Sequence, residues 1–160
     1  MIGYSSLMHR QTLPDSVLSL LGDDDPPSFE VINRDGETPL LLVCDHASQE
    51  VPRVLDKLGM GDDALERHIA YDIGAAEVSR QLSAMLDAPC VLAGYSRLLI
   101  DLNRPPGHPQ SIMEASDNTE IPGNFALSDD AKGQRIRELF EPYHDAVNRA
   151  LARIWENGAA

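Results

Sequence analysis

The segment LLVCDHASQEVP, residues 41–52, decides the fold prediction because an apolar run stops abruptly at an acid and a histidine. Residues 40–44 are apolar without alternation, which is typical of a strand that helices cover on both faces. Asp45 and His46 follow directly. Because α/β sheets bind ligands beyond the carboxyl ends of their strands, this pair predicts a polar site at a strand end.

The sequence on either side predicts strands interspersed with helices, the order of an α/β layer protein with helices on both faces of a mixed, mostly parallel sheet. Further strands are predicted at residues 29–33, 90–94 and 96–104, and helices at residues 51–59, through 64–70, from Asp72 toward Pro89, and from Ser128 to the chain end. The helix after Asp72 carries one apolar stripe, made of Val78, Leu82, Met85 and Leu86. Pro142 predicts a kink or break in the final helix.

The length of 160 residues indicates one domain, which we place at residues 29–160 after an extension or linker at residues 1–28. No apolar run is long enough to span a membrane, and the start of the chain lacks a signal-peptide pattern. We therefore expect no membrane partner and a cytoplasmic location. Cys44 and Cys90 are expected to be buried free thiols.

The net charge of −13 argues against a nucleic-acid partner, because phosphates require a surface rich in lysine and arginine. An anionic substrate would need a local arginine to hold it against this charge. Arg97, Asn103 and Arg104 are the candidates, since a guanidinium fits a carboxylate in a bidentate manner. The alternative is that Arg97 or Arg104 forms a structural ion pair with Asp101 or Asp72.

Three side chains of the segment at residues 41–52 are candidate metal ligands. His46 could bind a metal through a neutral ring nitrogen, or it could be held by a backbone hydrogen bond. Asp45 could be a second ligand or could orient the imidazole. Glu50 is a weaker candidate, because the metallopeptidase spacing His-x-x-Glu places Gln49 where the acid should be. Asp72 is a candidate catalytic acid, although capping of the following helix explains it equally well.

Five segments resemble, in this order, the N-formylglutamate amidohydrolases: LLVCDHASQEVP, HIAYDIGA, YSRLLIDLNRPP, IPGN and PYHDAV. The resemblance implies a zinc-exopeptidase-like three-layer sandwich and hydrolysis of N-formyl-L-glutamate to formate and L-glutamate, a late step of histidine degradation. It also implies Zn²⁺ as cofactor, His46 and Asp45 in its site, and Asn103 with Arg104 as the grip on the substrate carboxylate. Arg97 would support that pocket.

Members of this family usually continue beyond the point where this sequence stops, with a second histidine motif and a later acid. We therefore expect an incomplete metal site and an uncovered sheet edge and helix face, which would lead to self-association or to poor stability. The competing hypothesis is a non-catalytic α/β module that binds a carboxylate or a metal, or serves as an interaction domain.

Overall fold

The structure is a computed structural model that describes residues 19–158. The segment SVLSLL, residues 16–21, is compatible with one or two helical turns, but its residues 16–18 lie outside the described residues. The strands are β1 (Phe29–Ile32), β2 (Leu42–Cys44), β3 (Cys90–Ala93), β4 (Ala115–Ser116) and β5 (Thr119–Glu120). The helices are α1 (Asp62–Leu65), α2 (Ala75–Leu86), α3 (Asp129–Arg135) and α4 (Glu141–Gly158).

Strand β3 is the centre of a three-stranded sheet of order β1-β3-β2. It pairs antiparallel with β1 and parallel with β2, so the sheet is mixed as predicted but not mostly parallel. Every residue of β3 is buried, whereas Val43 in β2 is 49% exposed. The prediction that residues 40–44 are covered on both faces is therefore wrong, and β3 is the strand with that property.

Helices α2 and α4 pack on opposite faces of this sheet. Ala75 and Ala76 of α2 contact the face that carries Cys44 and Cys90, which are both buried and free as predicted. Tyr143 and other residues of α4 belong to the core cluster on the other face. The chain thus has a mixed α/β architecture around a small sheet.

Helix α2 exposes the apolar stripe that the sequence predicts to be its buried face. Small side chains meet the sheet instead, because Ala75, Ser79 and Ser83 recur every fourth residue along one side of the helix. Val78, Leu82, Met85 and Leu86 are all exposed. The helix begins after Gly74, so Asp72 precedes it and does not cap it.

Two further predicted helices are shorter or less regular than expected. Residues Arg53–Gly59 form a 3₁₀ turn, in which Asp56, Lys57 and Leu58 have positive φ angles. Helix α1 ends at Leu65 and does not continue through residues 66–70. Both segments contribute apolar side chains to the core, including Leu58 and Leu65.

Residues 96–104 form consecutive turns, and the predicted third strand is absent from this part of the structure. The alternation of polar and apolar residues suggested a strand, but Leu98, Leu99 and Ile100 are all buried. Side chains replace a neighbouring strand as hydrogen-bond donors to this backbone. Asn124 donates to the carbonyl of Leu98, and Arg135 donates to that of Leu99.

The final helical region follows its sequence signals closely. The side chain of Ser128 accepts a hydrogen bond from the backbone N–H of Ala131 and caps α3. A π-helical segment, Ile136–Phe140, separates α3 from α4 two residues before Pro142. Proline removes a backbone donor and crowds the preceding turn, so a local interruption of the α-helix is expected there.

Residues 19–28 contain no helix or strand, in agreement with the prediction of an irregular segment. This segment is nevertheless anchored to the rest of the fold, since Leu20 is buried in the core. Its backbone N–H donates to the carboxylate of Glu138 at 2.8 Å. None of the helices in the described part of the chain has the length and apolar character needed to cross a membrane.

Arg135 is a position at which a single substitution should destabilise the fold. Arg135→Met preserves much of the side-chain volume but leaves the acceptors on Leu99, Gly123 and Asn124 without their donor. Because each buried acceptor that loses its partner costs about 1–3 kcal/mol, we expect the free energy of unfolding to fall by roughly 3 kcal/mol. Urea denaturation followed by circular dichroism measures this change. The matched control is Arg137→Met on the exposed side of the same helical region, and an equal loss there would contradict the assignment.

Candidate functional site

His46 lies just beyond the carboxyl end of β2, where the chain leaves the sheet, and its side chain is buried. Its Nε2 atom is 2.7 Å from Oδ1 of Asp101, and its Nδ1 atom is 3.4 Å from Oδ2 of Asp72. The backbone N–H of Asp72 also donates to the carbonyl of His46. Both ring nitrogens therefore face carboxylates. The predicted alternative, a histidine ring held by a backbone hydrogen bond, is not what the structure shows.

Arg97 joins the two carboxylates that flank His46. One guanidinium nitrogen donates to Asp101 at 2.8 Å and the other to Asp72 at 3.3 Å. The ion-pair alternative for Arg97 is thus the arrangement that the structure shows. With both terminal nitrogens engaged, Arg97 supports the carboxylates around His46.

This arrangement shifts the pKa values of both members of the buried pair. Burial opposes the charged imidazolium most strongly, but the hydrogen bond to Asp101 and the nearby carboxylates prevail, so the pKa of His46 is raised. Burial also acts to raise the pKa of Asp101. Hydrogen bonds from His46 and from the backbone N–H of Asn103, together with the charges of His46 and Arg97, lower it to about 2.

Asp45 belongs to a second group of side chains, although it is the immediate neighbour of His46. The two residues form a turn directly after β2, and their side chains have different partners. The hydroxyl of Tyr143 in α4 donates to Oδ1 of Asp45 at 2.6 Å. Burial and the adjacent carboxylate raise the pKa of Tyr143 well above its usual range, so this hydroxyl remains a donor.

A cavity of about 400 Å³ opens beside Asp45, between the end of β2, the turn that follows Leu102, and α4. Asn103 and Arg104 line it together with Asp45 and Tyr143. The remaining lining residues are Val43, Leu102, Pro105, Phe140, His144 and Val147. Within residues 19–158 the side chains of Asn103 and Arg104 form no hydrogen bond or ion pair, so their donors are available to a ligand.

Glu50 does not join Asp45 and His46. It lines a separate cavity of about 210 Å³ together with Lys57, Asp62 and Glu66. In the part of the chain that the structure describes, no three His, Cys, Asp or Glu side chains converge to hold a metal ion. The described residues alone therefore do not fit a complete metal site, because a catalytic zinc usually has three protein ligands.

Asp101 and Tyr143 are site residues that the sequence reasoning did not select. The spacing of Asp101 predicts only a structural ion-pair partner, yet Asp101 contacts His46, Arg97 and the backbone of Asn103. The spacing of Tyr143 places it on the apolar stripe of the last helix and predicts a core position. The signal for Tyr143 is its hydroxyl, since a buried tyrosine usually has a hydrogen-bond partner.

The three other histidines of the described chain lie outside these contacts or at their margin. His144 packs its ring against Phe140, with Nε2 3.0 Å from the carbonyl of Leu102, and it lines the cavity. His68 is exposed, and its Nε2 lies 3.8 Å from the carboxylate of Asp117. His108 belongs to the irregular segment after Arg104. The helical patterns around His68 and His144 indicate packed or surface positions for both histidines, in agreement with these contacts.

The chain is similar to known proteins in both sequence and fold. The sequence profile of the N-formylglutamate amidohydrolases matches residues 38–160. The crystal structure of the gene product Atu2144 from Agrobacterium tumefaciens has a TM-score of 0.84 and 35% sequence identity, covering 87% of this chain and 55% of that chain. The chain thus spans about half the length of that protein. No curated protein gives a significant match.

The raised pKa of His46 predicts a specific dependence of stability on pH. A histidine whose folded pKa exceeds its unfolded value of about 6.5 binds protons more tightly in the folded state. Its stabilising effect is complete below that value and is lost as the pH rises through the folded pKa. We therefore expect the free energy of unfolding to decline as the pH rises above about 6.5, measured by urea denaturation at each pH.

The comparison of two variants assigns this decline to one residue. His46→Gln should flatten the dependence, because glutamine does not titrate. His68→Gln should leave it unchanged, since His68 is exposed and paired only at long distance. A decline that persists in the first variant, or that disappears in the second, would show that the buried pair is not its source.

Proposed function

This chain belongs to the N-formylglutamate amidohydrolase family, and we propose that it hydrolyses the amide of N-formyl-L-glutamate, or of a similar N-acyl amino acid, to formate and the free amino acid. Family membership indicates amidohydrolase-type chemistry in general. The specific substrate rests on the cavity beside Asp45. The resemblance further implies a late step of histidine degradation, and we include that step and a cytoplasmic location in the proposal.

The observation that carries the proposal is the free guanidinium of Arg104 in the cavity that also contains Asp45. A protein with a net charge of −13 repels an acidic substrate at long range, so binding requires local positive charge. Arg104 can hold a carboxylate through two parallel hydrogen bonds, and the amide of Asn103 can add a third donor. A cavity of about 400 Å³ falls within the size range of small-molecule sites.

Asp45 is the group that we propose for proton transfer. The hydroxyl of Tyr143 donates to its Oδ1 atom, while Oδ2 forms no hydrogen bond within the described residues, and Asp45 lines the same cavity as Arg104. In the proposed reaction Asp45 accepts a proton from water as the water oxygen bonds to the acyl carbon. The C–N bond then breaks, and the same proton passes to the departing amine. The hydroxyl of Tyr143 fixes the orientation of the carboxylate during both transfers.

Asp72 takes a positioning role in this proposal, because it contacts His46 and Arg97 and does not line the cavity. We propose Zn²⁺ as the metal on the family resemblance, with His46 and Asp45 among its candidate ligands. The described residues supply fewer converging donors than a catalytic zinc needs, and the proposed proton transfers are therefore assigned to Asp45 alone. The zinc-exopeptidase-like three-layer sandwich is likewise proposed from the resemblance.

A second candidate function is a carboxylate-binding module without turnover. The observation that favours it is the same shortage of converging metal ligands within residues 19–158. In that case Arg104 and Asn103 would hold a small acidic ligand, and Asp45 would only shape the cavity. Binding of L-glutamate, measured by isothermal titration calorimetry, combined with no release of formate from N-formyl-L-glutamate would select this function.

The enzymatic proposal is tested by formate release from N-formyl-L-glutamate, with and without added zinc sulfate. Arg104→Met should raise KM by roughly 10- to 100-fold, because a hydrogen-bonded charge pair contributes about 1.5–3 kcal/mol. It should change kcat much less, since Arg104 contacts the carboxylate and not the reacting amide. Arg53→Met, on an exposed arginine of a distant segment, is the matched control.

A second substrate identifies the carboxylate that Arg104 holds. N-formyl-L-glutamine lacks the side-chain carboxylate of N-formyl-L-glutamate but keeps the α-carboxylate. If Arg104 binds the side-chain group, the KM values of the native protein for the two substrates should differ, and Arg104→Met should remove most of that difference. The absence of formate release by the folded native protein with both substrates and with added zinc would contradict the enzymatic proposal.

A further inference from the structure

We propose that His144 is a positioning residue, which holds one peptide plane in the orientation that presents Asn103 and Arg104 to the cavity. Both of these cavity residues belong to one tight turn. The backbone N–H of Arg104 donates to the carbonyl of Asp101 at 3.1 Å, which is the hydrogen bond between the first and fourth residues of a β-turn. Leu102 and Asn103 are therefore the two central residues of this turn.

The peptide unit between Leu102 and Asn103 has a hydrogen bond at each end. Its N–H donates to Oδ1 of Asp101 at 3.0 Å. Its C=O lies 3.0 Å from Nε2 of His144, and because a carbonyl oxygen can only accept, Nε2 carries a proton and donates. The C=O and N–H of a trans peptide point in opposite directions from one rigid plane. His144 and the carboxylate of Asp101 therefore fix the rotation of this plane from its two sides.

The two side chains that hold the plane are themselves held by other contacts. Asp101 is 1% exposed, and its Oδ1 atom lies 2.7 Å from Nε2 of His46. Its Oδ2 atom accepts a hydrogen bond from Arg97. The ring of His144 packs on that of Phe140, with the ring centroids 4.1 Å apart. The turn is thus held between the buried carboxylate on one side and a packed imidazole of α4 on the other.

The plane needs such support because the turn has a second conformation within reach. The two commonest types of β-turn differ by a rotation of the central peptide plane of roughly 180°. The rotated form requires a positive φ angle at the third residue, which here is Asn103, and asparagine adopts positive φ angles more readily than most residues. In the structure the φ angle of Asn103 is not positive. The local sequence is therefore compatible with both forms, and the hydrogen bonds to the plane select one of them.

The selected form matters for the cavity, because Asn103 and Arg104 directly follow the plane and line the cavity together with His144. Rotation of the plane would change the φ angle of Asn103 and hence the direction in which its side chain leaves the turn. Its amide would then no longer act beside the guanidinium of Arg104. This role of His144 rests on the proposed function as far as the substrate is concerned, whereas the orientation of the plane can be measured without substrate.

Hydrogen exchange at the backbone amide of Asn103, followed by NMR spectroscopy, reports the orientation of the plane. In His144→Leu the carbonyl of Leu102 loses its donor, so we expect this amide to exchange about three- to tenfold faster, as the loss of one neutral hydrogen bond predicts. His144→Gln should restore the native rate, since glutamine keeps an N–H donor on a side chain of similar reach. His68→Leu, at an exposed histidine, is the matched control and should leave the rate unchanged. Circular dichroism establishes that each variant is folded.

Two further measurements distinguish rotation of the plane from a general loosening of the turn. The amide of Arg104 should keep its native exchange rate in His144→Leu, because the hydrogen bond that closes the turn is present in both forms. Alanine avoids positive φ angles, so Asn103→Ala should suppress most of the additional exchange that His144→Leu causes at residue 103. Faster exchange at both amides, or faster exchange that persists in the double variant, would overturn the rotation.

Steady-state kinetics with N-formyl-L-glutamate test the consequence for the substrate. His144→Leu should raise KM by about three- to tenfold and change kcat much less, because His144 acts on the groups that hold the carboxylate and not on the reacting amide. His144→Gln should keep the native KM. An unchanged KM in His144→Leu, or an equal rise in His144→Gln, would overturn the positioning role. Absence of formate release by the native protein would contradict the proposed function alone, and an unchanged exchange rate at Asn103 in His144→Leu would then overturn the positioning role separately.

Discussion

The buried guanidinium of Arg135 is the constraint on which the rest of this structure depends. It is 2% exposed and donates to the carbonyls of Leu99 and Gly123 and to the side-chain oxygen of Asn124. None of these acceptors is charged. Burial lowers the pKa of Arg135 to about 10, so the group remains positively charged at neutral pH. Asn124 in turn donates to two further carbonyls, those of Leu98 and Met113. Two side chains thereby supply the hydrogen bonds that a neighbouring strand would otherwise provide to the segment carrying Asp101 and Arg104.

The polar residues near the end of β2 form two sets that differ in their capacity to bind a ligand. His46, Asp72, Arg97 and Asp101 form a closed set whose hydrogen bonds satisfy one another. Groups held in this way orient their surroundings and are costly to disturb. Asp45 and its neighbours in the cavity retain free donors and acceptors on a surface that a ligand can reach. Two adjacent residues of the turn after β2 therefore have different roles: His46 belongs to the framework, and Asp45 lines the cavity of the candidate substrate.

The sequence was sufficient for the features whose signals are local. β1, β3, the cap at Ser128 and the interruption near Pro142 depend on neighbouring residues, and five segments in order identified the family. Features that depend on tertiary contacts were mispredicted. Residues 96–104 alternate like a strand, but Asn124 and Arg135, which are distant in the sequence, decide their conformation. Helix α2 has both a small-residue side and a large apolar side, and periodicity cannot show which of them meets the sheet. The two predicted roles of Arg97 were equally compatible with its spacing, and only the positions of Asp72 and Asp101 distinguish them.

The π-helical segment between α3 and α4 changes the direction in which side chains point around the axis of one continuous helical rod. A π turn holds more residues than an α turn, so every side chain after it is rotated relative to an uninterrupted α-helix. Arg135, before the segment, points into the turns around Leu99, whereas Tyr143, after it, reaches Asp45 at the end of the sheet. Loss of one residue from Ile136–Phe140 would restore a regular α-helix. Arg135 could then no longer contact Leu99 while Tyr143 contacts Asp45. The wider π turn thus lets one helical rod direct Arg135 toward the turns around Leu99 and Tyr143 toward the cavity.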